Sequence, residues 1–389
     1  MKKILIFSLV YYPNYVGGAE IAVKELTDRL GSDFEFHMIT LGAKSDLPKE
    51  KIGNVLVHRV GMVSTLSKYL FPFTACKKAC ELHRENIFDM TWSIMANYAG
   101  FAALFFKLVH PKVPFVLTLQ EGDPIDYIKR RVGLLYPLFK LIFKKADRIT
   151  AISNYLATWA KEMGAISPVA VVPNGVDLGR FTNYDSLLRK IAPEGQARFM
   201  NGERGEMRKK WGFGETDTVL VTTSRLVKKN GVGDVISALR LLPETVKFVI
   251  VGVGELEKKL KDDVARFGLT GRVVFAGFVA HEVLPEYLVA SDIFVRPALS
   301  EGMGNSFIEA MASGLPVIGT PVGGIVDFLN DRTTGIFCKP HDPKSIADAV
   351  TTLLFGPQLR ATIVENAQKM VAERYDWEIL VKQMKKILL

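Results

Sequence analysis

Short apolar runs alternate with longer amphipathic stretches through most of the chain. In the first half the short runs are typical of buried strands, and the stretches between them repeat apolar positions at helical spacing. The predicted strands are Ile4–Val10, Glu35–Thr40, Val55–Val60, Phe88–Ile94, Phe115–Leu119, Arg148–Ile152 and Val169–Val172. The predicted helices include Ala19–Leu30, Leu66–Glu85 and Tyr98–Val109. Because strands alternate with helices, we expect a parallel sheet covered on both faces.

The second half repeats this alternation. Its predicted strands are Val219–Thr223, Lys247–Val251, Val273–Ala276, Ile293–Val295 and Val317–Gly319. Its predicted helices lie near Val232–Leu242, Glu255–Phe267, Val283–Val289, Phe307–Ser313, Pro343–Leu354 and Leu359–Glu373. The pattern therefore predicts an α/β protein with two doubly wound, Rossmann-like domains. Open sheets of this kind bind ligands beyond the carboxyl ends of their strands.

One polar stretch interrupts the alternation. A turn-like Pro-Asn-Gly sequence begins at Pro173, and a segment of mixed charge follows it. We predict a linker at 174–216, between a domain at 1–173 and a domain at 217–374. Residues 375–389 repeat apolar positions at helical spacing and are predicted to form a final helix.

The composition is that of an ordinary globular protein, and 389 residues favour two domains over one. The apolar run after Lys2 and Lys3 resembles a secretory signal, but it has no small-residue cleavage site, so we predict a buried strand. Three cysteines in a chain of this length indicate a reducing compartment, and hence a cytoplasmic protein. Cys76 and Cys80 share a helical face without a second pair nearby, so no metal site is predicted.

The net charge of +9 admits nucleic acid, an anionic membrane or a small anionic substrate as a partner. The basic residues are scattered over both halves without a nucleic-acid-binding motif, which argues against nucleic acid. Residues 128–146 contain six basic residues and no acidic one, interleaved with large apolar residues. Two interpretations are open for this segment. It is either a surface that docks on an anionic membrane or a core-packed helix with a solvated basic face.

Residues 296–324 carry the most specific pattern in the chain. A Gly-containing loop separates an apolar strand from a helix, which leaves the first amides of the helix to bind a phosphate. Glu301 precedes this loop and Glu309 lies on the helix. Because carboxylates repel phosphate, they should face hydroxyl groups of the same ligand. A diphosphate flanked by hydroxyl-rich groups describes a nucleotide sugar. The alternative is a capping box, in which Ser306 and Glu309 bind the first amides of the helix.

These residues resemble the donor-site signature of the retaining glycosyltransferases of family 4, which have the GT-B fold. The family pattern is Glu, seven residues, Glu, and the flanking Gly-Leu-Pro-Val-Ile and Gly-Gly sequences match as well. The resemblance implies that Glu309 holds the ribose, that Glu301 holds hydroxyls of the donor sugar, and that amides near Gly304, Asn305 and Ser306 bind the diphosphate. It also implies domains that face a cleft, a final helix that crosses back onto the first domain, and no metal or other cofactor.

Further segments of the second half match the family. Arg225 stands where the family has a cation that contacts the diphosphate, and its fork of donors suits a leaving group whose charge grows. Asn230 stands where the family often has lysine, and Lys229, one residue away, could supply that charge. The resemblance also places Gly254 and the backbone near Val279 beside the nucleotide. The plainer interpretations are a solvated loop for Lys229 and strand-to-helix turns for the other two.

Two loops of the first half complete the predicted site. Gly17 and Gly18 open a helix, so their amides can approach a phosphate or sugar, and they match the Gly-Gly loop of the family. Gln120 stands where many members have histidine, and it can hydrogen-bond a sugar hydroxyl but cannot act as a base. Glu121 and Asp123 either orient the acceptor or form a solvated turn and a helix cap.

The sequence thus predicts an enzyme that moves a sugar from a nucleoside-diphosphate sugar to a hydroxyl of a glycan or lipid-linked acceptor, in the synthesis of cell-envelope glycans or glycolipids. Arg225 and Glu301 are the predicted catalytic residues. The segment 128–146 would place the enzyme at the inner face of the cell membrane. A second hypothesis, motivated by Gln120 and Asn230, is a non-catalytic subunit that binds a nucleotide sugar. The Gly-x-Gly-x-x-Gly fingerprint of NAD-dependent enzymes is absent.

Overall fold

The structure, a computed structural model, describes residues 1–31, 33–182 and 204–389. The chain divides into two compact units. The first unit comprises Met1–Asn174 and Trp377–Leu389, and the second comprises Gly175–Asp376. Within the predicted linker at 174–216, residues 183–203 lie outside the described residues. The described residues that follow them belong to the second unit.

Among the described residues, the first unit is built on eight strands. They are β1 (Lys2–Phe7), β2 (Phe34–Gly42), β3 (Lys49–Ile52), β4 (Val55–Met62), β5 (Met90–Ile94), β6 (Phe115–Leu119), β7 (Arg148–Ala151) and β8 (Val169–Val171). They form one sheet in the order β3-β4-β2-β1-β5-β6-β7-β8, in which only the β3–β4 pair is antiparallel. The sequence pattern does not predict β3, because this short edge strand is polar and its residues are exposed or half-buried.

The part of the first unit that the structure describes contains seven α-helices. They are Gly18–Leu30, Thr65–Asn86, Tyr98–Val109, Ile125–Val132, Tyr136–Lys145, Asn154–Glu162 and Trp377–Leu388. The final helix packs against the helix Gly18–Leu30. Leu26 of the earlier helix and Leu380 and Met384 of the final helix lie in one buried cluster. The last residues of the chain therefore complete the core of the first unit.

In the second unit, six parallel strands form the sheet of the described residues. They are β9 (Thr218–Thr223), β10 (Val246–Val251), β11 (Val273–Gly277), β12 (Ile293–Arg296), β13 (Val317–Gly319) and β14 (Ile336–Phe337). Their order in the sheet is β11-β10-β9-β12-β13-β14. The α-helices of this unit are Leu178–Phe181, Val232–Ala238, Glu257–Arg266, Leu284–Val289, Asn305–Ala312, Pro343–Phe355 and Pro357–Arg374, and residues 204–210 are also helical. The predicted α/β class with two Rossmann-like domains is confirmed.

The strand order places particular loops side by side. In the second unit the chain first builds the sheet outward from β9 through β10 to β11, and then continues on the other side of β9 with β12. The carboxyl ends of β9 and β12 therefore border the crevice where open α/β sheets bind ligands. The loop after β9 carries Arg225 and Lys229, and the loop after β12 carries Glu301. The first unit has the same reversal between β1 and β5.

A buried ion pair ties residues 204–210 to the second sheet. Arg208 donates to Asp292 Oδ2 over 2.7 Å, and the same oxygen accepts a hydrogen bond from the amide of Val219 over 2.8 Å. Arg208 is buried, and burial lowers the pKa of its guanidinium from the ordinary value. Because a buried charge without its partner is strongly destabilising, this pair fixes the described end of the predicted linker to the second unit.

The basic segment 128–146 lies in two short helices. Ile125–Val132 and Tyr136–Lys145 are separated by the 3₁₀ turn Gly133–Leu135, and Pro137 lies in the first turn of the second helix. The buried residues of the second helix are Phe139, Ile142 and Phe143. The first helix and the turn bury none of their residues. The interpretation as a core-packed helix with a solvated basic face is therefore right for Tyr136–Lys145. It is wrong for residues 128–135, which are not buried in the core.

Candidate functional site

The loops that follow β9 and β12 are in direct contact. The amide of Leu299 donates to the carbonyl of Lys229 over 2.6 Å. Gly231 has a φ of +68°, and a Cβ atom there would lie 2.1 Å from the carbonyl oxygen of Pro297. Only glycine therefore allows this approach. The two loops form one surface at the carboxyl edge of the sheet.

A buried arginine that the sequence patterns do not single out lies at the centre of this surface. Arg296 is the last residue of β12 and is 8% exposed. Its Nη1 donates to Ser306 Oγ over 2.8 Å, and its Nη2 donates to Asn230 Oδ1 over 3.2 Å. Nη2 also donates to Glu301 Oε2 in a salt bridge. One guanidinium thus joins the loop after β9, the loop after β12 and the next helix.

Glu301 is held by backbone groups as well as by Arg296. Its side chain is largely buried, and its Oε1 accepts a hydrogen bond from the amide of Gly302 over 3.0 Å. Its carbonyl accepts from the amide of Gly324 over 3.1 Å. Gly323, with a φ of +55°, lies so close that a Cβ atom would be 1.8 Å from that carbonyl oxygen. The Gly-Gly pair after β13 therefore fixes the backbone of Glu301.

The helix Asn305–Ala312 begins without a side-chain cap. Its N-cap residue is Gly304, which has a φ of +101° and makes no side-chain capping hydrogen bond. Ser306 lies inside the helix, and its hydroxyl accepts from Arg296. Glu309 contacts a histidine ring instead of the N-cap amide. The capping-box alternative is therefore wrong.

Glu309 ends a short polar chain within the second unit. Its Oε1 lies 2.9 Å from His281 Nε2, and His281 Nδ1 lies 3.0 Å from Arg180 Nη1. The ring of Phe181 packs against the same imidazole. His281 lies in the loop after β11, which also contains Val279. The loop predicted to approach the nucleotide base is thus joined to the carboxylate predicted to hold the ribose.

The loop after β9 presents one exposed cation and one buried amide. Arg225 is exposed, and its carbonyl accepts from Asn230 Nδ2 over 2.7 Å. Asn230 is 3% exposed, so its side chain is an internal brace between Arg225 and Arg296. Lys229, beside it, is half-buried. Gly254 of the loop after β10 lies against Leu226, where a Cβ atom would be 2.4 Å from the carbonyl oxygen.

In the first unit, the predicted residues lie after β1 and β6. Gly17 is the N-cap of the helix Gly18–Leu30 and makes no side-chain capping hydrogen bond. Gln120 is buried, and its Oε1 accepts from Asn174 Nδ2 over 3.1 Å. Asp123 is exposed.

Glu121 is a buried carboxyl with an unusual environment. Its Oε1 accepts from the amide of Ala96 over 2.5 Å, whereas its Oε2 makes no hydrogen bond among the described residues. Burial raises the pKa of Glu121 to about 7, although hydrogen bonds from backbone amides oppose that shift. The solvated-turn interpretation is wrong for Glu121. A carboxyl with one oxygen unsatisfied and a pKa near neutrality is a feature of functional sites.

Only some of the predicted site residues therefore lie around the guanidinium of Arg296. Glu301 and Ser306 meet at Arg296, the loop of Lys229 lies beside them, and Glu309 is held separately by His281. No cluster of three or more metal-ligating side chains occurs in the part of the chain that the structure describes. Arg296 could have been suspected because it ends a buried strand, but no spacing in the sequence indicates that His281 meets Glu309.

Two family models match this chain. The model described as Glycosyl transferases group 1 matches residues 203–370. The model described as Glycosyltransferase Family 4 matches residues 16–180. Together they cover most of the chain, and each lies largely within one of the two units.

Two of the relatives are named as enzymes with a stated substrate or product. The N-acetyl-alpha-D-glucosaminyl L-malate synthase of Bacillus anthracis is 27% identical over 383 residues, which cover 97% of this chain and 94% of the relative. A GDP-mannose-dependent alpha-(1-6)-phosphatidylinositol monomannoside mannosyltransferase of Mycobacterium tuberculosis is 29% identical over 249 residues, which cover 61% of this chain and 60% of the relative.

The fold is shared with solved structures. The crystal structure of Anabaena HepE in complex with UDP-glucose has a TM-score of 0.81 and is 20% identical in sequence. The match covers 100% of this chain and 99% of that chain. Both units therefore belong to a known architecture.

Proposed function

Because this chain belongs to the glycosyltransferases of the family 4 type, which have the GT-B fold, we propose that it transfers a sugar from a nucleoside-diphosphate sugar to an acceptor hydroxyl with retention of configuration. The observation that carries this proposal is the pairing of unlike groups at the carboxyl ends of β9 and β12. A largely buried carboxylate, Glu301, lies there beside an uncapped helix and the loop of the exposed Arg225. A carboxylate accepts hydrogen bonds from sugar hydroxyls, whereas backbone amides and cations bind phosphates.

Each predicted residue has a role in this proposal. Glu301 accepts hydrogen bonds from hydroxyls of the donor sugar, and Glu309 accepts them from the ribose. The diphosphate is bound by the start of the helix Asn305–Ala312 together with Arg225 and Lys229. The turns at Gly254 and Val279 border the nucleotide. In the first unit, Gly17 and Gly18 offer amides to a phosphate or a sugar.

The reaction exchanges one bond at the anomeric carbon of the donor. The acceptor oxygen forms a bond to this carbon while the bond to the diphosphate oxygen breaks, and the diphosphate leaves with the electron pair. The acceptor proton passes to a phosphate oxygen of the donor on the same face, which gives retention. Arg225 stabilises the charge that grows on the diphosphate. No residue of the protein acts as a covalent nucleophile in this proposal.

The acceptor is proposed to contact the first unit, through Gln120, Glu121 and Asp123. With a pKa of about 7, Glu121 can hold a proton near neutral pH, and Asp123, two residues later in the same loop, is exposed to an acceptor. The mannosyltransferase of Mycobacterium tuberculosis is named for a phosphatidylinositol monomannoside. This supports a glycan or lipid-linked acceptor and a role in the cell envelope.

The test is donor binding and turnover by the wild type and by the carboxylate variants Glu301→Gln and Glu309→Gln. Each nucleotide sugar of a panel of UDP- and GDP-sugars is assayed for binding, hydrolysis and transfer, and the anomeric configuration of the product is determined by NMR. We expect each variant to weaken donor binding about 10- to 100-fold, because it removes a charge-assisted hydrogen bond of about 1.5–3 kcal/mol. Glutamine at 309 can still accept from His281, so the fold should persist.

Glu365→Gln is the matched control, since Glu365 is an exposed residue of the same unit. Unchanged affinity in both site variants would contradict the assigned roles. A product of inverted configuration would contradict the proposed stereochemistry. Tight donor binding without hydrolysis or transfer would favour the non-catalytic subunit instead.

We also propose that the first unit docks on an anionic membrane at its cytoplasmic side. One helix, Thr65–Asn86, exposes large apolar residues at positions i, i+3, i+4 and i+7. Their exposed fractions are 68% for Leu66, 60% for Tyr69, 46% for Leu70 and 63% for Phe73. This spacing puts all four on one face of the helix, and such a face rarely stays in contact with water.

Basic residues adjoin this apolar face. The ring of Tyr69 packs on that of Tyr98, with centroids 5.6 Å apart. A hydrogen bond with Tyr98 raises the pKa of Arg131 above its ordinary value. The neighbouring turn exposes Leu134 completely and Leu135 by 58%. Exposed leucines and tyrosines beside a row of cations match the boundary between acyl chains and anionic headgroups.

Liposome co-sedimentation tests this docking. We expect the wild type to sediment with anionic vesicles at low salt and to be released by salt. The pair Lys129→Glu and Arg130→Glu should reduce binding, since each basic residue contributes about 1 kcal/mol at an anionic surface. The pair Leu66→Ser and Leu134→Ser should do the same through lost apolar contact. Lys258→Glu with Lys259→Glu, on an exposed helix of the second unit, is the control with the same change of charge. A wild type that stays in the supernatant would contradict the proposal.

A further inference from the structure

Arg296 carries an inference that deepens the proposed function and rests on it. The guanidinium is buried at the end of β12 and contacts side chains from three separate segments. Two of these, Glu301 and Ser306, belong to the predicted donor site, and the third, Asn230, braces the loop of Arg225. The arginine itself is only 8% exposed. Its position suits a group that orders the residues around the donor rather than one that touches it.

The charges explain why the arrangement depends on arginine. Glu301 is largely buried, and its carboxylate would lose its cation if Arg296 were removed. A buried carboxylate without a partner is unfavourable, so Glu301 would turn toward water. Lysine keeps the charge, but it lacks the planar fork that reaches Ser306, Asn230 and Glu301 together.

Asn230 extends the same network toward the proposed cation. Its Oδ1 accepts from Arg296, and its Nδ2 donates to the carbonyl of Arg225 over 2.7 Å. A carboxylate and a cation on neighbouring loops are thereby connected through two side chains. Lysine at 230 has no acceptor and would bring a second positive charge against the guanidinium. Asn230 therefore has a structural role of its own beside Arg296, and its presence is not simply the loss of a lysine.

We propose that Arg296 is the positioning residue of the donor site, which holds Glu301 in place for the sugar and, through Asn230, holds the loop of Arg225 in place for the diphosphate. Glu301 contacts the sugar and not the nucleotide in the proposed function. Loss of Arg296 should therefore affect the sugar-dependent part of binding more than the binding of the nucleoside diphosphate alone. A residue that served only stability would not produce this difference.

The experiment measures two affinities for each variant. The first is the affinity for the nucleotide sugar that the wild type binds, UDP-glucose or GDP-mannose. The second is the affinity for the corresponding nucleoside diphosphate, UDP or GDP. We expect Arg296→Met to weaken binding of the nucleotide sugar about 10- to 100-fold, with a smaller loss for the nucleoside diphosphate. Arg296→Lys should recover part of the difference. Asn230→Lys should lower kcat, although it adds a cation to the loop of Arg225.

Arg272→Met is the matched control, because Arg272 is a partly buried arginine of the same unit that donates to the backbone carbonyls of Leu242, Pro243 and Val246. Thermal unfolding of every variant accompanies the affinities, and Arg296→Lys serves if Arg296→Met does not fold. Equal losses for the nucleotide sugar and the diphosphate in both Arg296 variants would overturn the positioning role. A wild type that binds neither these two nucleotide sugars nor any other of the UDP- and GDP-sugar panel would overturn the proposed function itself, and the two failures are thus distinguishable.

Discussion

Replacing Arg225 by alanine is expected to lower kcat about 10²–10³-fold, the loss typical of removing one donor that stabilises transition-state charge. Arg225 is exposed at the carboxyl end of β9, and among the described residues its guanidinium makes no hydrogen bond or ion pair. It is therefore available to a ligand. Because the charge on the leaving diphosphate is largest in the transition state, affinity for the nucleotide sugar should fall less than kcat.

Steady-state kinetics and equilibrium binding on the same preparations measure this difference. Lys228→Ala is the control, since Lys228 is exposed in the same loop and has no assigned role. Lys229→Ala tests the second cation. Equal losses in kcat and in ground-state affinity would show that Arg225 only binds the donor. An unchanged Lys229→Ala variant would leave the diphosphate to Arg225 and the helix amides.

Replacing Gly323 by alanine is expected to displace Glu301 and to lower kcat/KM about 100-fold, the loss that a misplacement of about 1 Å can produce. The added Cβ would lie 1.8 Å from the carbonyl oxygen of Glu301, so the backbone of one segment must move. The φ of +55° adds strain of about 1–2 kcal/mol for any residue other than glycine. Both effects should lower stability in denaturant unfolding.

Gly268→Ala separates these two effects. Gly268 has a φ of +68°, and a Cβ atom there meets no other atom within 4 Å. This variant should show the backbone strain alone, with activity unchanged. If Gly323→Ala were as active and as stable as Gly268→Ala, the close approach of the Gly-Gly segment to Glu301 would have no functional consequence.

The periodicity of apolar residues determined most of the secondary structure. The strands Phe115–Leu119 and Val317–Gly319 and the helix Tyr98–Val109 have the bounds that the pattern predicts. Buried parallel strands are nearly continuous apolar runs, so the local sequence identifies them. The edge strands Lys49–Ile52 and Ile336–Phe337 escaped prediction because they are short and because pairing with a neighbour, rather than their own pattern, defines them.

The candidate residues of the site could also be predicted from the sequence, since the amides and carboxylates of a glycine-rich loop between a strand and a helix are close together in the sequence. Their partners could not. Arg296 meets Asn230 across a separation of 66 residues, and His281 meets Glu309 across 28. Burial raises the pKa of Glu121, and the residues next to it in the sequence do not indicate that it is buried.

By itself the sequence determined the α/β class and the two domains, and it singled out the carboxylates, amides and cations of the candidate site, because each depends on neighbours along the chain. Only the tertiary structure decided that Glu309 binds a histidine and not a helix cap, that Asn230 is an internal brace, and that part of the basic segment is core. These outcomes depend on which strands lie side by side. Strand order brings distant loops into contact, and local periodicity carries no information about that order.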